Sequence, residues 1–240
     1  MANTIANNTE ALGSRVREKF GDKIISSDIA LDELTVVVDK KNILEVCKTL
    51  RDDPDFEFKT MIDICGVDYS AYGDVEWSTD DATGSGFSRG VSAAGDSDTE
   101  GHTSNTTTGK KGGLVVVYHL LSISHNFRIR LKTLAADPLV LDSVVSVWAV
   151  ANWYEREAFD LFGIMFEGHP DLRRILTDYG FIGHPFRKDF PISGHVEMRY
   201  DADKKRVIYE PVSIEPRTLV PRVIRDDHRY LNEPKKEGNR

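Results

Sequence analysis

The chain has 240 residues, a formal net charge of −8 at pH 7 and two cysteines. A chain of this length can bury a sizeable core without disulfides, and Cys47 and Cys65 alone cannot supply the four thiolates of an iron–sulfur cluster or a four-cysteine zinc site. The excess of acid disfavours general attraction to nucleic acid or to an anionic membrane, and no apolar run approaches the ~20 residues that cross a bilayer. The start of the chain lacks the apolar core of a secretory signal, so these totals predict a cytoplasmic protein.

The first third of the sequence predicts two helices and two strands. Apolar residues spaced four apart favour a short helix over 10–20, and a β-branched run favours a strand over about 31–39. An apolar stripe before Pro54 predicts a second helix, and the alternation over 56–69 predicts a half-buried strand. Cys47 lies on the helical stripe, so we interpret it as a core residue rather than a nucleophile.

A change of composition follows at residues 78–113, where 26 of 36 residues are Gly, Ser, Thr, Asp or Asn. Such a segment buries too little apolar surface to offset the entropy of ordering it. We therefore predict a disordered loop insertion. Its glycine and lysine spacing does not match a phosphate-binding loop.

A hairpin is predicted next, because "LVVVYHLLSI" and "FRIRLK" flank the turn residues "SHN". Arg128, Arg130 and Lys132 then share the strand face opposite the apolar one. A basic face of this kind can meet phosphates. In so acidic a chain we favour a solvated face or a protein partner over nucleic acid.

The stretch after this hairpin predicts a helix, with Asp142 and Ser143 as candidate caps and Gly163 as a left-handed stop. On that helix Glu155 lies within an apolar stripe, where a carboxylate needs either an arginine partner or a raised pKa. Glu157 points roughly 160° away from Glu155. The two glutamates therefore cannot easily form a paired-carboxylate catalytic site.

Two Gly-His-Pro tripeptides follow, at 168–170 and 183–185. Pro170 at a first helical position and Gly180 at the end predict a short helix between them. We interpret His169 and His184 as groups that orient the turns into proline rather than as general bases. No spacing of histidines and acids typical of a metal site occurs.

Charged residues are dense in this part of the chain. Arg156 and Asp160, four apart, are expected to pair along the helix surface. The remaining cations and acids suggest ion pairs that hold an extended segment against the helix, since guanidinium groups make such forked contacts well.

Together these patterns predict an α+β fold with a mixed or antiparallel sheet, helices packed on one side, and a long extended C-terminal tail. The expected divisions are 1–77 and 114–163 as the two parts of the α+β domain, 78–113 as the loop insertion, and 164–240 as a C-terminal region that wraps a partner.

Four motifs carry a family resemblance: Glu-Arg-Glu at 155–157, Asp-Leu-Phe-Gly at 160–163, Gly-His-Pro-Asp-Leu-Arg-Arg at 168–174, and Arg-Lys-Asp-Phe-Pro at 187–191. With the hairpin, they make the chain resemble the 30-kilodalton subunit of respiratory complex I, which is the C-subunit family of the proton-pumping NADH-quinone oxidoreductase. The resemblance is loose over 10–77 and close over 113–215.

The resemblance implies a non-catalytic structural subunit of the peripheral arm, inactive alone, that supports electron transfer from NADH to quinone. FMN and iron–sulfur clusters would lie in partner subunits, and this chain would bind no cofactor or metal. Its partners would be a 49-kilodalton-like neighbour and other peripheral-arm subunits, with no nucleic acid, and membrane association would come only through the complex. The implied location is the cytoplasmic side of the bacterial inner membrane, with the mitochondrial matrix side as the alternative.

The resemblance also implies structural and interface roles for a set of residues and a catalytic role for none. The set is Glu155, Arg156, Glu157, Asp160, Gly163, His169, Pro170, Asp171, Arg173, Arg174, His184, Arg187, Lys188 and Asp189.

Two other hypotheses remain as alternatives. One is the equivalent subunit of a related membrane-bound hydrogenase or of a ferredoxin- or plastoquinone-linked oxidoreductase. The other is an acid/base hydrolase that uses Glu155 and His169, for which turnover would be lost on Glu155→Gln with the fold intact.

Overall fold

The structure is a computed structural model that describes residues 2–70, 77–79, 91–93, 113–135 and 137–214. The helices are α1 (Ala2–Phe20), α2 (Ile43–Asp52) and α3 (Ala151–Phe162), with one 3-10 turn at Gly21–Lys23. The strands are β1 (Ile24–Ala30), β2 (Glu33–Val38), β3 (Thr60–Asp68), β4 (Trp77–Thr79), β5 (Val91–Ala93), β6 (Leu114–Ser122), β7 (Phe127–Ala135), β8 (Val140–Asp142), β9 (Met165–Glu167), β10 (Val196–Asp201) and β11 (Arg206–Pro211).

Five strands form one mixed sheet in the order β1-β2-β7-β6-β3. The β2 and β7 strands are parallel, whereas the other neighbouring pairs are antiparallel. The described residues also contain the short pairs β4–β5, β8–β9 and β10–β11. The predicted α+β class with a mixed sheet is confirmed.

One face of this sheet and all three helices share a hydrophobic core. Alternate strand residues point into it, among them Leu34, Val36, Val38, Val116, Tyr118, Leu120, Ile129 and Leu131. The helices meet them with their apolar stripes, which include Leu12, Val16, Phe20, Ile43, Val46, Leu50, Ala151 and Ala158. The helices thus pack on one side of the sheet, as predicted, and buried Cys47 is a core residue whose pKa is raised by burial.

The opposite sheet face carries the basic residues of β7. Arg128 is exposed, while Arg130 and Lys132 are half-buried. Arg130 forms an ion pair with Glu33 and donates to Thr35 at 3.3 Å. Part of this positive charge is therefore neutralised within the chain.

The first helix and the first hairpin differ from prediction. The α1 helix begins at Ala2 rather than near residue 10, and β1 was not predicted. This edge strand is mostly polar and exposed, so it lacks the alternation that marks a half-buried strand. The predicted strand over 31–39 begins two residues late, because Leu31 and Asp32 form the turn to β1 with φ of 52° and 62°.

The predicted loop insertion at 78–113 lies largely outside the described residues. Within this loop the structure describes residues 78–79, 91–93 and 113. The β4 and β5 strands form an antiparallel pair. The C-terminal region is described to residue 214. Between 168 and 195 it has neither helix nor strand, and the β10–β11 hairpin follows.

Candidate functional site

The α3 helix is held tightly against the sheet edge at β3. A Cβ on Gly66 would lie only 2.5 Å from the ring of Phe162, so glycine permits the close approach of helix and strand. Tyr154 donates to the carbonyl of Ile62 at 3.0 Å. The helix ends at Gly163, which has a φ of 79° as predicted.

The predicted start of α3 was wrong. Asp142 belongs to β8, and the helix begins at Ala151 rather than near Ser143. The hydroxyl of Ser143 donates to Glu155 Oε2 at 2.6 Å, and the N–H of Val144 donates to Glu155 Oε1 at 2.7 Å. Since the carboxyl of Glu155 binds these two donors, the segment 143–150 folds into turns above the helix instead of extending it.

Glu155 is fully buried and has no ion pair among the described residues. Burial raises its pKa to about 7, although the hydrogen bonds from Ser143 and Val144 act in the opposite direction. Of the two solutions expected for an acid on this stripe, the structure shows the raised pKa and not the arginine. Glu157 is exposed on the other side of α3, as predicted.

Asp160 is equally buried but takes up five hydrogen bonds from one segment. Its Oδ2 accepts from the N–H groups of residues 175, 176 and 177 at 2.7–3.0 Å. Its Oδ1 accepts from the Thr177 hydroxyl at 2.5 Å and from Arg174 at 3.0 Å. Burial alone would raise the pKa of Asp160, but the side chain of Thr177 and the backbone donors outweigh it and lower the pKa to about 2.

His184 completes the attachment at the end of the helix. Its Nδ1 donates to the Asp160 carbonyl at 2.9 Å, and the Phe186 N–H donates to the Leu161 carbonyl at 3.1 Å. Arg174 also donates to the Gly183 carbonyl at 2.9 Å. We call Asp160, Arg174, Thr177 and His184 the clasp, because they fasten residues 174–186 to α3.

The clasp explains two predictions that were wrong. Residues 170–180 form no helix, because three N–H groups that a helix would use internally are taken by Asp160. Arg156 and Asp160 do not pair along the helix, because Asp160 pairs with Arg174 and Arg156 contacts Asp171 at 3.4 Å.

His169 uses both ring nitrogens. Its Nε2 donates to the Asn152 carbonyl at 3.1 Å, while Nδ1 accepts from the Asp171 N–H at 3.0 Å. This pattern assigns the proton to Nε2 and leaves no free lone pair for a general base. Pro170 is exposed at the bend between them.

The second cationic group lies at the edge of the clasp. Arg187 pairs with Asp189 at 3.0 Å, and the Lys188 N–H donates to Asp68 at the end of β3 at 2.7 Å. Asp68 therefore ties the chain after the clasp to the sheet, while the clasp itself ties it to the helix.

No group of three or more His, Cys, Asp or Glu side chains within the described ranges is placed to hold a metal ion. Within the same ranges, no helix combines the length and apolar character needed to cross a membrane.

Comparison with known proteins places this geometry in a family. The family described as "Respiratory-chain NADH dehydrogenase, 30 Kd subunit" matches residues 36–196. The chain belongs to this family. It is 51% identical to the C-subunit of NADH-quinone oxidoreductase from Coxiella burnetii (strain RSA 331 / Henzerling II), over 95% of this chain and 98% of that protein.

One further relative and one solved structure are similar to this chain. The C-subunit of NADH-quinone oxidoreductase from Hydrogenovibrio crunogenus is 57% identical over 90% of this chain and 95% of its own. A solved chain of the membrane-bound sulfane sulfur reductase, an archaeal respiratory membrane complex, shares the fold with a TM-score of 0.50 and 21% identity over 76% of this chain and 85% of its own. The alternative of a related hydrogenase or ferredoxin-linked complex is not favoured.

For this member of the 30 Kd subunit family, the sequence did not predict the role of two residues of the site. Thr177 carried no signal, because a lone threonine between hydrophobic and acidic residues has no spacing to mark it. Ser143 was noticed as a helix cap, and its actual partner, Glu155, lies twelve residues away.

Proposed function

We propose that the chain is the C-subunit of an NADH-quinone oxidoreductase and that it is a non-catalytic subunit of the peripheral arm. In this proposal FMN and iron–sulfur clusters lie in partner subunits, and electrons pass from NADH to quinone without touching this chain. The names of the relatives support the complex. The geometry supports the non-catalytic role.

The observation that carries the proposal is the β10–β11 hairpin. One face has the exposed apolar side chains Val196, Met198, Tyr200, Val207 and Tyr209, brought together by the cross-strand pairs of the register. The other face is charged and includes the Arg199–Glu210 ion pair at 2.6 Å. An isolated two-stranded hairpin is marginal in water, and an exposed apolar patch of this kind marks a protein interface.

The clasp gives this apolar surface a fixed origin. It fastens residues 174–186 to α3, so the chain leaves the α+β domain at a defined place before the hairpin begins. Leu176, Tyr179, Ile182 and Ile192 are exposed along the same region. The partner that we propose for this surface is the 49-kilodalton-like subunit, with other peripheral-arm subunits as further neighbours.

The buried acids support a non-catalytic role. The Glu155 carboxyl is closed off from solvent and bound by Ser143 and Val144, so no substrate reaches it. His169 has both ring nitrogens engaged. In this proposal the chain associates with the membrane only through the complex, on the cytoplasmic side of the bacterial inner membrane.

The test compares two adjacent positions on opposite faces of β10 in the full chain. Met198→Lys places a charge in the apolar face, whereas Glu197→Lys places one in the charged face. We expect Met198→Lys to lower the amount of the 49-kilodalton-like subunit and of NADH-quinone reductase activity recovered with the chain by about tenfold, the effect of losing one interface anchor. Glu197→Lys should change both by less than twofold.

Equal recovery with both variants would contradict the assignment of the hairpin face to an interface. Measurable NADH oxidation by the purified chain alone would contradict the non-catalytic role.

A further inference from the structure

Arg156 is buried without a full set of partners. It is 7% exposed, yet the only hydrogen bond of its guanidinium within the described residues joins Nη2 to Asp171 at 3.4 Å, and its Nε is buried with no partner there. A guanidinium that has lost its water needs forked contacts to offset desolvation. One long contact does not provide them.

The second arginine beside α3 shows what full compensation looks like. Arg174 binds Asp160, Thr177 and the Gly183 carbonyl at 2.9–3.2 Å. Arg174 is thus occupied within the chain, whereas Arg156 has binding capacity left over.

The acid beside Arg156 is shared. Asp171 is 51% exposed in its side chain and also contacts Arg173 at 3.1 Å. Two arginines therefore face one carboxylate, which leaves a local positive charge on a chain whose formal net charge is −8.

A large aromatic ring borders the same charges. Trp153 is 61% exposed, and the Arg156 guanidinium lies 5.4 Å from the centre of its ring. Tryptophan and arginine are among the residues that most often dominate the energetics of protein interfaces. We call Trp153, Arg156, Asp171 and Arg173 the Trp153 patch.

We propose that the Trp153 patch docks an acidic segment of a neighbouring subunit, whose carboxylate binds the arginines and whose apolar neighbour covers Trp153. A carboxylate fits the planar guanidinium fork, and an apolar group beside the exposed indole would remove its surface from water. The proposal rests on the proposed function, because only an assembled complex supplies such a neighbour, and it names a contact separate from the hairpin.

The first experiment uses the intact complex purified with the full chain. Trp153→Ala and Arg173→Gln should speed dissociation of this chain from the complex about tenfold at moderate salt. Both should leave the thermal unfolding temperature of the separate chain nearly unchanged, since both side chains are largely exposed. Lys48→Gln removes an exposed cation from α2, outside both proposed surfaces, and should leave dissociation unchanged.

A second measurement identifies what covers the patch. A photo-reactive phenylalanine derivative in place of Trp153 should crosslink to a peptide of another subunit that contains Asp or Glu. A crosslink only within this chain, or to a peptide without an acid, would overturn the proposal.

The two proposals fail in different ways. If Met198→Lys does not affect the complex, the role of the hairpin is wrong. If Met198→Lys breaks the complex while Trp153→Ala and Arg173→Gln dissociate like the unsubstituted chain, the Trp153 patch is not a docking site and the proposed function stands.

Discussion

The α3 helix buries two carboxyl groups in two different ways. Glu155, near its start, is held by a hydroxyl and one N–H, and burial raises its pKa to about 7. Asp160, five residues later, is held by three N–H groups, a hydroxyl and an arginine, and its pKa falls to about 2 despite burial. Hydrogen-bond donors outweigh burial at Asp160, where there are more of them, and do not outweigh it at Glu155.

The two carboxyl groups also stabilise different parts of the fold. Glu155 closes a local loop, since its partners lie eleven and twelve residues before it. Asp160 organises a segment of the C-terminal region that has no regular secondary structure of its own. The ionised Asp160 and its donors therefore connect the α+β domain to the apolar surface proposed to bind a partner.

Asp160→Ala should give the largest effect. It removes the acceptor for three N–H groups and leaves the partly buried Arg174 without its carboxylate, so we expect a loss of about 4 kcal/mol in the free energy of unfolding. Urea unfolding at pH 7 measures it. Asp189→Ala, which removes an exposed acid just beyond residues 174–186, should stay within about 0.5 kcal/mol.

An Asp160→Ala loss no larger than that of Asp189→Ala would mean that the clasp does not stabilise the fold. Limited proteolysis offers a second readout. Cleavage between 174 and 186 should become faster in Asp160→Ala and not in Asp189→Ala.

Glu155 should make stability fall as pH rises. Its folded pKa, about 7, lies above the ordinary value of 4.5, so the folded state holds the proton more tightly between these values. The contribution of Glu155 to the free energy of unfolding is fully present below pH 4.5. It is lost as the pH rises to about 7, and the total loss is about 3 kcal/mol. Glu155→Gln cannot ionise, so the decline between pH 4 and 8 should be smaller by that amount.

Glutamine is a close match in size and keeps one oxygen to accept from Val144. If the unsubstituted chain and Glu155→Gln show the same dependence of unfolding free energy on pH, Glu155 is ionised in the folded state. Glu157→Gln makes the same chemical change at an exposed position of the same helix and is the matched control.

Local patterns predicted much of the fold and only part of the site. The apolar run of β6, the alternation in β7, the stripe of α2 and the glycine stop at Gly163 are properties of neighbouring residues, and each was predicted. The edge strand β1 was missed because a polar strand has no periodic apolar signal. The supposed helix over 170–180 had good local signals, and a contact with Asp160 from the preceding helix overrides them.

The same distinction applies to the charges. The apolar stripe around Glu155 predicted that its carboxyl has either an arginine partner or a raised pKa. The choice between these two depends on whether an arginine lies nearby in space, and sequence spacing does not contain that information. The sequence likewise pointed to Arg156 pairing with Asp160 because they are four apart, while a stronger set of donors from residues 174–177 displaced it.

Gly163 tests how closely the clasp packs on the end of α3. An added Cβ at Gly163 would lie 2.8 Å from the His184 ring, whereas at Gly168 nothing lies within 4 Å. The φ angles, 79° and 80°, are nearly the same. Gly168→Ala should therefore show backbone strain alone, about 1 kcal/mol, and Gly163→Ala about 2 kcal/mol or more. Equal losses would show that His184 moves aside freely.

The smallest expected effect is the loss of stability at acid pH that comes from protonation of Asp160. This pH dependence is opposite in sign to that of Glu155. The folded pKa of Asp160, about 2, lies below the ordinary 3.8, so its contribution is present above pH 3.8 and is lost as pH falls towards 2. The donors that lower this pKa belong to residues 175–177, which are half-buried or exposed, and solvent screening reduces the contribution to about 1 kcal/mol. Asp160→Asn lacks this titration, so the difference in unfolding free energy between it and the unsubstituted chain should shrink by that amount between pH 5 and 2. A constant difference would assign the stabilisation to hydrogen bonds that survive protonation rather than to the charge.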